Sequence, residues 1–237
     1  MSEIVLIHGG GVGAWMWRPV LRELGERIPV LTPSFAGHRA DDPSHYDGPV
    51  AAAEDVAREI GIEQRDDLIV VGFSAGGQVA LELAARHPER ISSLALVSTL
   101  VEPMPGRGLV VALGALTAPL ARHAGFARKQ AAAMGVPAED VEAYVAGSLA
   151  FSPESLRRLL RTNLDYRPQS AVTLHPRPML LLAGSHEQRV VRAGLRRLAA
   201  AAPDARYVEV PGAHHDIPLR SPAALAEELR KLTAQAD

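Results

Sequence analysis

Gly72-Phe73-Ser74-Ala75-Gly76 sets a serine between two glycines, directly after the apolar run Leu68–Val71 and at the head of a helical stretch that ends near Arg86. In this strand-turn-helix context the serine occupies a sharp turn and its hydroxyl projects from the end of the strand, ready to attack an acyl carbonyl. Small residues two before and two after it keep such a turn free of clashes. A serine hydroxyl is almost fully protonated at neutral pH, so Ser74 needs a general base, and nine His residues are candidates. The chain has no Cys, which excludes disulfides, thiolate metal sites and a Cys nucleophile. A second glycine-rich stretch, His8-Gly9-Gly10-Gly11-Val12-Gly13-Ala14-Trp15, formally matches a dinucleotide fingerprint through Gly9, Gly11 and Ala14. Its supporting acid is missing: the next β-type run ends Leu31-Thr32-Pro33-Ser34, and Asp41 and Asp42 fall deep in a loop. There is no Gly-Lys-Ser/Thr phosphate loop, and the consecutive His214, His215 and Asp216 lack metal-ligand spacing. Neither metal nor organic cofactor is expected.

These residues require strands to end beside one another. Short apolar runs alternate with helical patterns: Ile4–His8, helical Gly13–Arg27, Ile28–Thr32, helical Ala51–Ile62, Leu68–Phe73, helical Ala75–Arg86 and Leu94–Ser98. Later come Met179–Ala183, helical Val190–Ala202, Tyr207–Val210 and a last helix from Pro222 to about Thr233. Such a repeating register predicts an α/β fold with a mostly parallel, doubly wound sheet and helices on both faces. From Glu102 to about Arg177 there is helical periodicity and no convincing strand, so residues 102–176 are expected to form a helical cap inserted into a core of residues 1–101 and 177–237. An excursion between two strands of an open sheet lies over their carboxyl ends, where ligands bind in this architecture.

With these motifs in this order the chain resembles the α/β-hydrolase superfamily over nearly its whole length, the cap apart. The resemblance implies a Ser, acid, His order. It places the base in Gly212-Ala213-His214-His215, with His215 in the catalytic slot and His214 where the family usually has Gly; an exchanged role for His214 is the alternative. The acid falls at the fourth position of Gly184-Ser185-His186-Glu187, as Glu187 where Asp is usual, and Glu102, after the preceding strand, is the alternative position. Asp216 adjoins the base and is expected to point away. The backbone N–H groups of Gly10 and Ala75 carry over as the oxyanion hole, Ala75 also lying at a helix start where the dipole favours negative charge. His8 and His38, the latter in a Gly37-His38 turn like the family's, are expected to be structural. Phe73, Phe126, Met134, Tyr144 and Phe151 are expected to wall an apolar pocket.

The implied function is a cofactor-independent serine hydrolase, a carboxylesterase of a small, largely apolar substrate working through an acyl-enzyme on Ser74. Carbon–carbon bond hydrolases and thioesterases use the same triad, and a biosynthetic cyclase or ligand receptor on the same fold uses the pocket without it. Ser74 argues against the Asp-dependent dehalogenases and epoxide hydrolases. Gly10 and Asp216 stand where hydroxynitrile lyases have Thr and Lys. Composition agrees: 237 residues suit one large α/β domain, and 25 Lys plus Arg against 27 Asp plus Glu leave a net charge of -2, with no basic excess for nucleic acid or an anionic membrane surface. A small-molecule substrate is the partner expected. The start Met1-Ser2-Glu3 has no basic region or cleavage pattern, so a cytoplasmic location is expected. The longest uncharged stretch, between Arg107 and Arg122, reaches roughly 21 Å as a helix, short of a ~30 Å hydrocarbon core, and is expected to be a buried or cap helix.

Overall fold

The computed structural model describes residues 2–38, 44–121, 123–168 and 177–236. Met1, Asp41, Asp42, Arg122 and residues 169–176 of the expected insertion lie outside the described residues. Among the described residues six strands form one sheet in the order β2-β1-β3-β4-β5-β6, every neighbouring pair parallel. They are β1 Glu3–Ile7, β2 Val30–Leu31, β3 Leu68–Phe73, β4 Ile91–Val97, β5 Met179–Gly184 and β6 Ala205–Val210. Strands buried on both faces read as continuous apolar runs, and β1, β3 and β5 do.

Alternation divides the strand side chains between two cores. Ile4, Leu6, Ile69, Val71 and Leu182 face α1 (Arg18–Leu24) on one side of the sheet. Val5, Ile7, Val70, Leu96 and Leu181 face α2 (Pro49–Ile60) and α3 (Ala75–Arg86) on the other. Among the described residues four helices, α4 Arg107–Ala121, α5 Ala124–Met134, α6 Val141–Ala150 and α7 Pro153–Leu164, lie between β4 and β5. After β5, α8 (Arg189–Ala201) covers the α3 face, and α10 (Pro222–Ala236), reached through the short α9 (Ile217–Arg220), covers the α1 face.

Several element boundaries differ from the sequence expectation. The Gly13–Arg27 helix is a 3-10 turn, Ala14–Trp17, and then α1, because the chain leaves the helix at Gly25 with φ 73°. β2 keeps only Val30–Leu31 of Ile28–Thr32 and lies at the sheet edge, paired with β1 alone. β4 begins three residues before Leu94, because Ser92 and Ser93 are buried in the sheet and Ser92 Oγ donates to the Leu68 carbonyl at 3.2 Å. α4 spans the uncharged stretch, and of the two positions open to it, buried or cap helix, its described side chains fit the second: Leu109 is 68% and Leu116 75% exposed. Among the described residues no helix is long and apolar enough to cross a membrane.

Candidate active site

Parallel register brings the ends of β3, β4, β5 and β6 to one edge of the sheet: Phe73 lies beside Val97, Val97 beside Leu182, and Gly184 beside Val210. The residues singled out for chemistry follow directly on three of these ends. Ser74 is the hinge between β3 and α3, held at φ 53° and ψ -119°, a conformation that L residues avoid. Its N–H donates to the Val97 carbonyl at 2.8 Å, and its own carbonyl accepts from Gly77 N at 3.0 Å. A Cβ on Gly72 would meet the Gly76 carbonyl, and one on Gly76 the carbonyls of Ile7 and His8, so the turn from β3 into α3 requires glycine at 72 and the approach of α3 to β1 requires it at 76.

The loops after β5 and β6 are tied together. Ser185 N–H donates to the Val210 carbonyl (3.0 Å), His186 N–H to that of Ala213 (2.9 Å), and Gly212 N–H to Ser185 Oγ (2.8 Å). This sets Glu187 Oε2 at 2.8 Å from His215 Nδ1. His215 Nε2 lies 3.0 Å from Ser74 Oγ. The second carboxylate oxygen, Oε1, accepts from Gln188 N–H at 2.8 Å. An ionised Glu187 makes Nδ1 the donor, which leaves the Nε2 lone pair to accept from the serine hydroxyl. Burial pushes the Glu187 carboxyl toward its neutral form. The hydrogen bond and charge of His215, the Gln188 N–H and the nearby Ser98 hydroxyl, which makes no hydrogen bond of standard geometry, outweigh it and hold the group below the usual carboxylate range. The Glu187 side chain is 1% exposed and that of His215 51%, so the carboxylate is enclosed while the imidazole is open to an incoming molecule.

The alternatives lie elsewhere. Glu102 is engaged by Arg197, whose Nε donates to Oε1 at 2.7 Å, on the outer side of α8. Asp216 pairs with Arg220 Nε at 2.8 Å, and the His214 ring packs on His186, centroids 5.0 Å apart. His8 is buried and stacked on Phe35 (4.4 Å), its Nδ1 2.8 Å from the Gly9 carbonyl. His38 packs among Phe35, Tyr46 and Phe151.

A cavity of about 440 Å³ opens above Ser74. Its floor includes Gly10, Gly11 and Ala75, the first residue of α3. Phe126, Met134, Tyr144 and Phe151 line it, together with Leu156, Leu159 and Leu160. Phe73 does not. It shares the strand face of Ile69 and Val71, so its ring turns under the loop and packs on the His215 imidazole, centroids 5.2 Å apart. Gln130, Ser148 and Asn163 also line the cavity and carry no signal of their own in a single sequence. Asn163 alone is foreshadowed, as the fourth member of an i, i+3, i+4, i+7 series with Leu156, Leu159 and Leu160. Among the described residues no cluster of three or more His, Asp or Glu is placed to hold a metal ion.

An open parallel sheet carrying a strained serine, a histidine and an enclosed glutamate at its carboxyl edge defines the hydrolase class that the sequence resembles. Residues 4–228 match the Alpha/beta hydrolase family, and the chain belongs to it. It is 38% identical over 97 residues to a pimeloyl-[acyl-carrier protein] methyl ester esterase of Aromatoleum aromaticum, covering 41% of this chain and 37% of that one. Over 104 residues it is 39% identical to a 2-hydroxymuconate semialdehyde hydrolase of Pseudomonas sp., covering 40% and 36%. The matched part is therefore little more than a third of either relative's length. Among solved structures, a thermophilic esterase from Thermogutta terrifontis superposes with a TM-score of 0.78 at 20% identity, over 100% of this chain and 90% of that one, a likeness of fold.

Proposed function

We propose that this protein is a serine carboxylesterase acting on a small, largely apolar ester, with Ser74, His215 and Glu187 as its catalytic triad. One observation carries the reading: an unbroken chain of short polar contacts, 3.0 Å and then 2.8 Å, runs from Ser74 Oγ through the imidazole to a buried carboxylate, and its serine end opens into an apolar cavity. In this mechanism His215 Nε2 takes the hydroxyl proton as Ser74 Oγ bonds to the acyl carbon. The oxyanion receives hydrogen bonds from the Gly10 and Ala75 N–H groups. The imidazolium, stabilised by Glu187, then protonates the leaving alcohol, and the acyl group stays on Ser74. In the second half His215 deprotonates a water that attacks the acyl-enzyme, the acid departs and Ser74 recovers its proton. Helices α4–α7 act as the cap and choose the substrate.

The partial match to a 2-hydroxymuconate semialdehyde hydrolase supports a second reading on the same triad, hydrolysis of a carbon–carbon bond. Against it, the described cavity residues include no cation to receive the carboxylate that 2-hydroxymuconate semialdehyde carries. Steady-state kinetics decide: hydrolysis of short 4-nitrophenyl esters, lost in Ser74→Ala, supports the esterase, whereas turnover of 2-hydroxymuconate semialdehyde with inert esters supports the alternative.

A further inference from the structure

The described lining of the cavity includes no Asp, Glu, Lys or Arg. One face of α5 supplies Phe126, Gln130 and Met134 to it, so the middle member of an otherwise apolar stripe is a carboxamide. The orientation of that carboxamide is set from α6. Tyr144 is 6% exposed and its ring stands edge-on to Trp15, centroids 6.0 Å apart, so the phenol has little freedom to turn. Burial raises the pKa of the phenol against the opposing pull of the Ser148 hydroxyl, and Tyr144 therefore keeps its proton at neutral pH. That proton goes to Gln130: Tyr144 Oη donates to Gln130 Oε1 at 3.1 Å. With the amide oxygen held by the tyrosine, the NH2 end of the same group is turned away from it and donates to no described residue. Gln130 is an exposed residue of the cavity wall, so these N–H groups are open to a bound molecule. A buried tyrosine thus aims a free donor from an apolar wall.

We infer that Gln130 is a specificity-determining residue whose Nε2 donates a hydrogen bond to an uncharged acceptor oxygen of the substrate, an ether or a second carbonyl, away from the scissile group. The inference rests on the esterase reading and adds the substrate class: a neutral, otherwise apolar ester with one acceptor oxygen along its acyl or alcohol chain. A carboxylate would accept the same bond but would lose its hydration in a lining with no cation. An ether oxygen moved from water to an apolar wall without a donor is disfavoured, so an oxygen-containing chain can outdo its hydrocarbon parent only where a donor meets it.

The test is kcat/KM for a straight-chain ester and its oxa analogues, in which oxygen replaces one methylene at successive positions, first on the acyl side and then on the alcohol side. Each value is divided by the rate constant of the same ester with hydroxide, which removes differences in intrinsic reactivity. At one position the oxa analogue should exceed its parent by about fivefold, the net worth of one hydrogen bond. In Gln130→Glu the carboxylate still accepts from Tyr144 but has no N–H to give, so the ratio at that position should fall to one or below. A melting curve checks the fold, and if that variant does not fold, Gln130→Met is read in its place. A parent ester equal to or better than every oxa analogue would overturn the inference. So would a preference that survives in the folded variant, which would pass the role to Asn163, the other carboxamide of the lining. Turnover of the parent ester that depends on Ser74 tests the esterase reading separately. Its absence removes that reading, while its presence with a flat series removes only the role of Gln130.

Discussion

Replacing Glu187 by Gln changes one atom of the site and forces a choice between two faults. The carboxylate accepts at both oxygens, from Gln188 N–H through Oε1 and from His215 Nδ1–H through Oε2, both at 2.8 Å. A carboxamide has only one oxygen. If that oxygen keeps the Gln188 N–H, the NH2 faces Nδ1, the imidazole carries its proton on Nε2, and the nitrogen 3.0 Å from Ser74 Oγ can no longer accept the hydroxyl proton. If the oxygen turns to His215 instead, the NH2 is driven against the Gln188 N–H inside the protein, leaving a buried donor unsatisfied at a cost of about 1–3 kcal/mol. The first arrangement wins, so most molecules hold the wrong tautomer, and none has the charge that stabilises an imidazolium. A fault of this kind costs about 10⁴-fold in kcat in a serine triad, or about 5 kcal/mol of barrier. Stopped-flow and steady-state assays with a 4-nitrophenyl ester, beside a melting curve to show that the fold survives, measure it. Glu102→Gln is the control and should leave kcat unchanged, since that carboxylate meets Arg197 outside the site. A Glu187→Gln enzyme within tenfold of wild type, or a crippled Glu102→Gln, would refute the assignment.

Three further outcomes follow from the same geometry. His215→Ala should lower kcat by at least about 10³-fold, while His214→Ala should stay within about tenfold, because the second ring contacts His186 rather than Ser74; the reverse order in the same assay would exchange their roles. Gly76→Ala should lose at least about 2 kcal/mol of stability in urea unfolding, since its Cβ would enter the Ile7 and His8 carbonyls, and an unchanged midpoint would contradict that packing. His38 has its pKa lowered to about 3, first by burial and then by the charge of His8, against the opposing pull of the Ala36 carbonyl. Between that value and about 6.5 the unfolded chain binds a proton that the native one refuses, so stability falls on acidification by up to about 1.4 kcal/mol per pH unit. His38→Phe, placed among aromatic rings, should flatten this fall between pH 6.5 and 4, and an identical slope would show that His38 is not its source.

The fold was legible because parallel strands buried on both faces announce themselves as apolar runs, and the turns that end them carry distinctive residues. Gly72 to Gly76 could be read as an elbow from its place between an apolar run and a helical stretch, and the structure shows the backbone approach that demands both glycines. Ser92 and Ser93 hid the start of β4, since buried polar residues, Ser92 bonded to the Leu68 carbonyl, break the hydrophobic pattern without breaking the strand. Phe73 was misplaced because adjacency in sequence to Ser74 says nothing of the strand face on which a side chain falls. The cavity wall was the least legible part. Which sides of α5, α6 and α7 turn toward Ser74 depends on how the helices pack on the sheet edge, and α4 leaves Leu109 and Leu116 exposed where hydrophobicity alone predicts burial.

The central claim is that Ser74 is an activated nucleophile. An alkyl fluorophosphonate probe should label the native protein once, mass spectrometry of the digest should place the adduct on Ser74, and labelling should disappear in Ser74→Ala and fall sharply in His215→Ala. A wild-type protein that hydrolyses esters yet stays unlabelled, or one labelled at another residue with Ser74→Ala equally reactive, would contradict the account.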